Sequence, residues 1–229
     1  MYNLNWHEPG TRLYNAGVDR GVLYVPGQDG VAWSGLISVA EAPEGGERQS
    51  YYMDGVRYLN LSGSEDFRAT LSAFYSPPEF DQCDGLAEIV PGYSATQQVR
   101  KPFGLSYRTA IGNDISEGHG YKLHLVYNAL AAPSSKTYFT KDESADVDPL
   151  VWDLSTTPMN YPGISPTAHF EIDTTTSPAW LVREVEYMLY GRDMVPAKLP
   201  LPKAIVQLEP PLVEPGMYDN ALYDLDFYN

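Results

Sequence analysis

The chain has 229 residues, 43% of them apolar, with 30 acidic against 15 basic side chains and a formal net charge of −15. This length and composition suit one large folded domain or two small ones, and exclude a disordered chain. The acid excess also excludes a protein that grips nucleic acid by its phosphates, which takes clustered Lys and Arg, but not a surface past which DNA slides without sticking.

Period-two alternation dominates and predicts strands. "GVLYV" is a short apolar strand, "PGQDG" a turn, and "VAWSGLISV" a second strand. Residues 41–47, "EAPEGGE", read as a polar loop with paired glycines. "RQSYY" and "VRYLNL" flank Asp54-Gly55, the strongest short-range signal for a β-hairpin. In "FRATLSAFY", Phe67, Ala69, Leu71, Ala73 and Tyr75 line one face, with Arg68, Thr70 and Ser72 on the other. Its aromatics, Thr70 and the Pro77-Pro78 stop favour a strand over a helix. "PFGLSYRTAIG" repeats the pattern, and "YKLHLVY" sets Tyr121, Leu123, Leu125 and Tyr127 opposite Lys122, His124 and Val126. "KTYFT", "LVWDLS" and "TAHFEID" complete about nine or ten strands, spaced as in a sandwich or barrel.

One helix is expected in "TSPAWLVREVEYMLYG", with Ser177 as N-cap, Pro178 in the first turn and Gly191 closing the end. Leu181, Val185 and Met188 form its expected apolar stripe. Six prolines between Pro196 and Pro215 then argue for an extended segment. The expected organisation is an N-terminal arm over residues 1–15, a β-sandwich domain over 16–200 with a flanking helix at about 178–190, and a C-terminal arm over 201–229.

Candidate chemistry is sparse. Cys83, the single cysteine, forbids an internal disulfide framework, fits a reducing compartment, and sits near Asp81 and Asp84, which disfavour a thiolate. No two of His7, His119, His124 and His169 stand at i, i+2 or i+4, so zinc would have to be collected from scattered strands. His124 and His169 fall on the more polar face of their strands, which predicts solvent or an interface. "DESADVDP" offers Asp142, Glu143, Asp146 and Asp148, but without the spacing or central glycine of an EF-hand it reads as a solvated acidic loop rather than a calcium site. No nucleophile elbow or phosphate-cradling glycine loop is present. A glycosidase carboxylate pair has no specific signal among 30 acids. No catalytic residue, cofactor or metal is expected. No run approaches the about 18 apolar residues of a membrane span, and "MYNLNWHEPGTRLYN" lacks the basic start and apolar block of a secretory signal.

Several segments resemble the major tail proteins of long-tailed (siphovirus-type) bacteriophages, the subunits of the tail tube. They are "GVAWSGLISV", "YYMDGVRYLNLSGSEDFRATLSAFYSPPEFDQCDG", "RKPFGLSYRTAIGND", "GYKLHLVYNALAAPSSKTY", "WDLSTTP" and "PTAHFEID". They occur in the family's order and span roughly residues 17–205. The resemblance implies a mainly β fold: a tail-tube-type β-sandwich or barrel with one flanking α-helix and extended arms. It implies hexameric rings stacked into a hollow tube around a tape-measure protein, among other tail proteins. Double-stranded DNA later passes through without sequence-specific binding. The implied place is the virion tail, assembled in the bacterial cytoplasm, with no membrane anchor and no enzymatic role.

Within that picture Glu41, Glu44, Gly45, Gly46 and Glu47 are the expected ring-to-ring loop. Trp6, His7, Tyr14, Pro210, Pro211, Tyr218, Tyr223 and Phe227 mark the arms, and Glu65 and Asp66 are candidate lumen acids. The alternative is a distal or minor tail protein whose tyrosines and tryptophans bind glycan or a receptor.

Overall fold

Nearly every alternating segment becomes a strand, and the strands curl round one aromatic core. The computed structural model describes residues 8–137, 140 and 148–210. In chain order the strands are β1 (Tyr14–Tyr24), β2 (Val31–Ala32), β3 (Leu36–Glu41), β4 (Glu44–Gly45), β5 (Arg48–Met53), β6 (Val56–Ser62) and β7 (Glu65–Asp66). β8 (Arg68–Ala73), β9 (Ala87–Val90), β10 (Tyr93–Ala95), β11 (Phe103–Gly112), β12 (Gly120–Ala131), β13 (Leu150–Thr156) and β14 (His169–Asp173) follow. Helices α1 (Ala179–Tyr190) and α2 (Pro202–Val206) close the described chain.

The main sheet is antiparallel and runs β2-β1-β11-β12-β13-β8-β3. It forks at β12. The end of β12 pairs β13, with Ala129 opposite Thr156, while its first half pairs β14, with Val126 opposite His169. β1 and β3, far apart in the strand order, come back into contact, so the sheet curls towards a barrel.

Inside the curl lie Leu23, Trp33, Leu71, Phe80, Phe103, Leu105, Tyr107, Val126, Trp152 and their neighbours. Phe80 is fully buried at their centre, with its ring centroid 4.7 Å from Trp33, 5.2 Å from Phe103 and 5.2 Å from Trp152. Tilted and edge-on aromatic contacts of this kind add to plain area burial. Trp33 also donates its indole N–H to the Tyr75 carbonyl at 2.8 Å.

A second core lies on the outer face of the sheet, where Val22, Tyr24, Leu123, Leu125 and Tyr127 meet Val182, Val185 and Leu189 of α1. The Tyr24 hydroxyl donates to the Leu189 carbonyl at 2.8 Å and pins the end of the helix to β1. Beside it Arg108 makes two bonds to Asp19, at 2.8 and 2.7 Å, and these hold the Asp19 carboxyl below its usual range.

Several expectations are corrected. The second strand is split into β2 and β3 by a turn at residues 34–35. The Ser177 N-cap gives way to Pro178, which stands at the cap without a side-chain bond, and the buried helix stripe is Val182, Val185 and Leu189 rather than Leu181, Val185 and Met188. Gly191 does close the helix, donating its N–H to the Tyr187 carbonyl at 3.1 Å.

Both arm boundaries move. Tyr14 and Asn15 already pair with Gly112 and Ile111 in the sheet. At the other end Leu199, Ile205 and Leu208 pack on the outer core, and Tyr127 donates to the Pro200 carbonyl at 2.6 Å. The chain stays docked on its own domain to Leu208 because apolar residues, not periodicity, hold it there. "KTYFT" is not a strand over its described residues.

Phe80→Ala, which empties the centre of the inner core, is expected to cost about 3–5 kcal/mol in urea unfolding. Tyr75→Ala, at a side chain 57% exposed, is expected to cost well under half of that.

Candidate assembly surface

After Glu41 the chain leaves the main sheet and builds a ribbon of its own. β4 pairs β7, with Glu44 opposite Asp66 and Gly45 opposite Glu65. The expected inter-ring loop and the expected lumen acids are thus two sides of one narrow ladder. Residues 41–47 are not a free loop. Glu41 ends β3, and Glu44 and Gly45 are strand residues. A Cβ at Gly45 would lie 2.4 Å from the Ser64 carbonyl oxygen, and φ there is +99°, so only glycine suits this crossing. Glu44, Glu47, Glu65 and Asp66 are exposed, and Glu44 meets Arg68 at 2.9 Å. An exposed pair of this kind contributes little to stability.

Beyond the ladder stands the hairpin β5–β6, as its turn dipeptide predicts. Asp54 and Gly55 have φ of 51° and 76°, the two left-handed residues that a type I′ turn needs. The hairpin forms its own two-stranded sheet. All of β5 is exposed, and so are Tyr51, Tyr52, Met53, Val56, Tyr58, Leu59 and Leu61; Tyr58 reaches 75%. Tyr51 sits opposite Leu59 and Gln49 opposite Leu61. A second small hairpin, β9–β10, exposes Ile89, Val90 and Tyr93. Scattered apolar residues on a surface need no explanation, but here they gather on one two-stranded element.

The remaining candidates fall as follows. Tyr14 belongs to β1 and Pro210 is exposed. Trp6, His7, Pro211, Tyr218, Tyr223 and Phe227 lie outside the described residues, as do Asp142, Glu143 and Asp146 of the acidic loop. His124 and His169 do not face solvent. His124 is 4% exposed, His169 is partly buried, and burial lowers the pKa of both imidazoles. The structure brings them within 3.1 Å of one another, beside Glu41 and Glu171. Sequence spacing hid this group because its members come from three strands. The one local signal is His169-Phe170-Glu171, which puts a histidine and a carboxylate on one face of a strand.

No family model matches the sequence, and no curated protein matches it. Among solved structures the chain is similar to one from the sheath–tube complex of an extracellular contractile injection system, PVC, in its extended state. The two are 14% identical, the match covers 74% of this chain and 94% of that one, and the TM-score is 0.36. It is also similar to a chain from the sheath/tube terminator structure of that system, again in the extended state, at 16% identity, with 74% of this chain and 99% of that one covered and a TM-score of 0.28.

Cys83 is fully buried, and burial pushes its thiol up to about 12. A thiol reagent at pH 8 is therefore expected to leave the native chain unmodified and to label it at the rate of global unfolding as urea is added. Fast labelling without urea would show that the segment around Cys83 opens locally.

Proposed function

We propose that this chain is a non-catalytic tube subunit of the tail-tube kind, a structural protein that packs against copies of itself. The observation that carries the reading is the β5–β6 hairpin. A lone two-stranded hairpin is marginal in water, and this one presents Tyr51, Tyr52, Met53, Val56, Tyr58, Leu59 and Leu61 without cover from the described residues of its own domain. Burying it against neighbouring copies supplies the apolar contact it lacks and pairs its open edges. The segment resemblance to long-tailed phage tail tubes points the same way.

On this reading hexameric rings stack into a virion tail tube around a tape-measure protein, assembled in the host cytoplasm, and double-stranded DNA later passes through. The acids Glu44, Glu47, Glu65 and Asp66 of the ribbon, with a net charge of −15 per chain, suit a conduit that repels phosphate. The arms expected at the two ends of the chain, shortened by the pairing of Tyr14 and Asn15 and by the docking through Leu208, are assigned to bridging between rings.

Purified protein at high concentration is expected to show rings or tubes by negative-stain microscopy. A chain that stays monomeric at every concentration and salt tested would sink the proposal.

The triple variant Tyr52→Ser/Val56→Ser/Tyr58→Ser is expected to shift sedimentation from assemblies to monomer. Its unfolding free energy should change by no more than about 0.5 kcal/mol per site, as at other exposed positions. Assembly that survives the triple variant would move the contact elsewhere on the subunit.

A further inference from the structure

The histidine and glutamate group lies at one end of the inner core. His124 and Glu171 are direct cross-strand partners on β12 and β14, and His169 stands two residues before Glu171 on the same face. Glu41 reaches the group from the end of β3. One atom from each of the four, an imidazole nitrogen from each histidine and a carboxylate oxygen from each glutamate, lies within 4.8 Å of all the others. His124 Nδ1 is 3.1 Å from His169 Nε2, 3.5 Å from Glu41 Oε1 and 3.7 Å from Glu171 Oε1. Metal–ligand bonds of 2.0–2.2 Å in a tetrahedron put ligand atoms roughly 3.3–3.6 Å apart, so small side-chain shifts bring the three edges at His124 to those of a shared cation.

More acceptors converge on His124 Nδ1 than it can serve. His124 Nδ1 carries at most one hydrogen, yet it faces one imidazole nitrogen and two carboxylate oxygens. Three of the four side chains are held by further partners. Thr109 Oγ1 lies 2.9 Å from His124 Nε2, Tyr107 donates to Glu41 Oε1 at 2.7 Å, and Lys122 donates to Glu171 Oε2 at 3.0 Å. Tyr107 also stacks on the His124 ring at 4.5 Å. A partner on the far nitrogen of a ligating histidine and on the carboxylates is the usual outer shell of a metal centre. The His124 side chain is 5% exposed, whereas those of Glu41 and Glu171 are 34% and 40% exposed, which gives an ion a way in.

We propose that Glu41, His124, His169 and Glu171 form a structural site for one divalent transition metal of the zinc class. Two imidazoles with two carboxylates suit zinc or its first-row neighbours, whereas calcium and magnesium take oxygen throughout. All four positions are protein side chains, the mark of a structural rather than a catalytic centre. The ion ties β3 to the paired strands β12 and β14, at the point where the ribbon towards the β5–β6 hairpin begins.

The test uses the full chain, stripped with a chelator, dialysed against zinc and desalted. Elemental analysis is expected to find about one zinc per chain, and the melting temperature should rise with zinc and not with magnesium. Cobalt in its place is expected to give the strong visible absorption of a tetrahedral ion. His169→Gln and Glu171→Gln, both at partly exposed positions, should lose the bound metal and the zinc-dependent rise in melting temperature while still folding in chelator. His119→Gln, at an exposed histidine outside the group, should keep both. Thr109→Ala should weaken binding roughly 10- to 100-fold. The proposal is overturned if wild-type protein retains substoichiometric zinc with no thermal shift, or if His169→Gln and Glu171→Gln bind as wild type does.

Discussion

Strand β12 is buried on both faces, and the rest of the domain is arranged around that constraint. Leu123, Leu125 and Tyr127 point into the outer core under α1, while Val126, Ala129 and Ala131 point into the aromatic inner core. A slip of one residue would exchange the two sets and ruin both cores at once. The inner-core positions step from 126 to 129 rather than to 128. The register with β11 shows why. Leu105 lies opposite Val126 and Phe103 opposite Ala129, so one extra residue is taken up in β12. Asn128 sits in that bulge with φ of 50°, a conformation Asn tolerates better than most residues. The bulge falls where β12 passes from β14 to β13 as partner, so one local irregularity both resets the alternation and accompanies the fork of the sheet.

Two cores on one strand explain how the apolar residues are divided. The inner core takes Trp33 and Trp152 with Phe80 and Phe103, and the outer core takes the helix and the docked stretch through Leu208. The ribbon and hairpin from Glu44 to Asp66 contribute to neither. Their turn chemistry sets register but buries little, so the hairpin's order rests on ladder hydrogen bonds and cross-strand contacts such as Tyr51 with Leu59. The domain thus keeps a stable body and a weakly supported projection, the kind of low-stability element that binding draws upon. The charge works against association, since each copy brings a net −15. In the proposed assembly apolar contact has to exceed that repulsion, and the exposed tyrosines of the hairpin are placed to supply it.

Much of this was legible because it is local. Alternation in 67–75, 102–112 and 121–127 named the central strands, and Asp54-Gly55 named the hairpin, since both signals depend on neighbours within a few residues. The failures share a cause. Residues 31–39 look like one strand, and only packing in the curled sheet sets the turn before Leu36. The run 196–208 has no period, yet it docks because Leu199, Ile205 and Leu208 find an open flank of the outer core. The α1 stripe lies one position from the expected one because Val182 and Leu189 face the sheet instead of Leu181 and Met188, a choice that helix periodicity leaves nearly even. The polar group was least legible of all. Its members stand at positions 41, 124, 169 and 171, and only the fork of β12 brings them together.

That placement gives Glu41 a role its surroundings in the sequence concealed. It is the last residue of the main sheet before the chain departs into the ribbon, and its carboxylate is held by the Tyr107 hydroxyl at 2.7 Å. Fixing the side chain fixes the end of β3, and with it the direction in which β4 and then the hairpin leave the body. A projecting element magnifies small rotations at its base into large displacements at its tip. An anchor on buried groups such as Tyr107 and His124 restrains the tip better than exposed ion pairs like Arg68–Glu44, which water screens and side-chain motion loosens. The polar group at the end of β3 therefore belongs to the same design as the exposed hairpin: one holds the base rigid so that the other can be presented in a defined position.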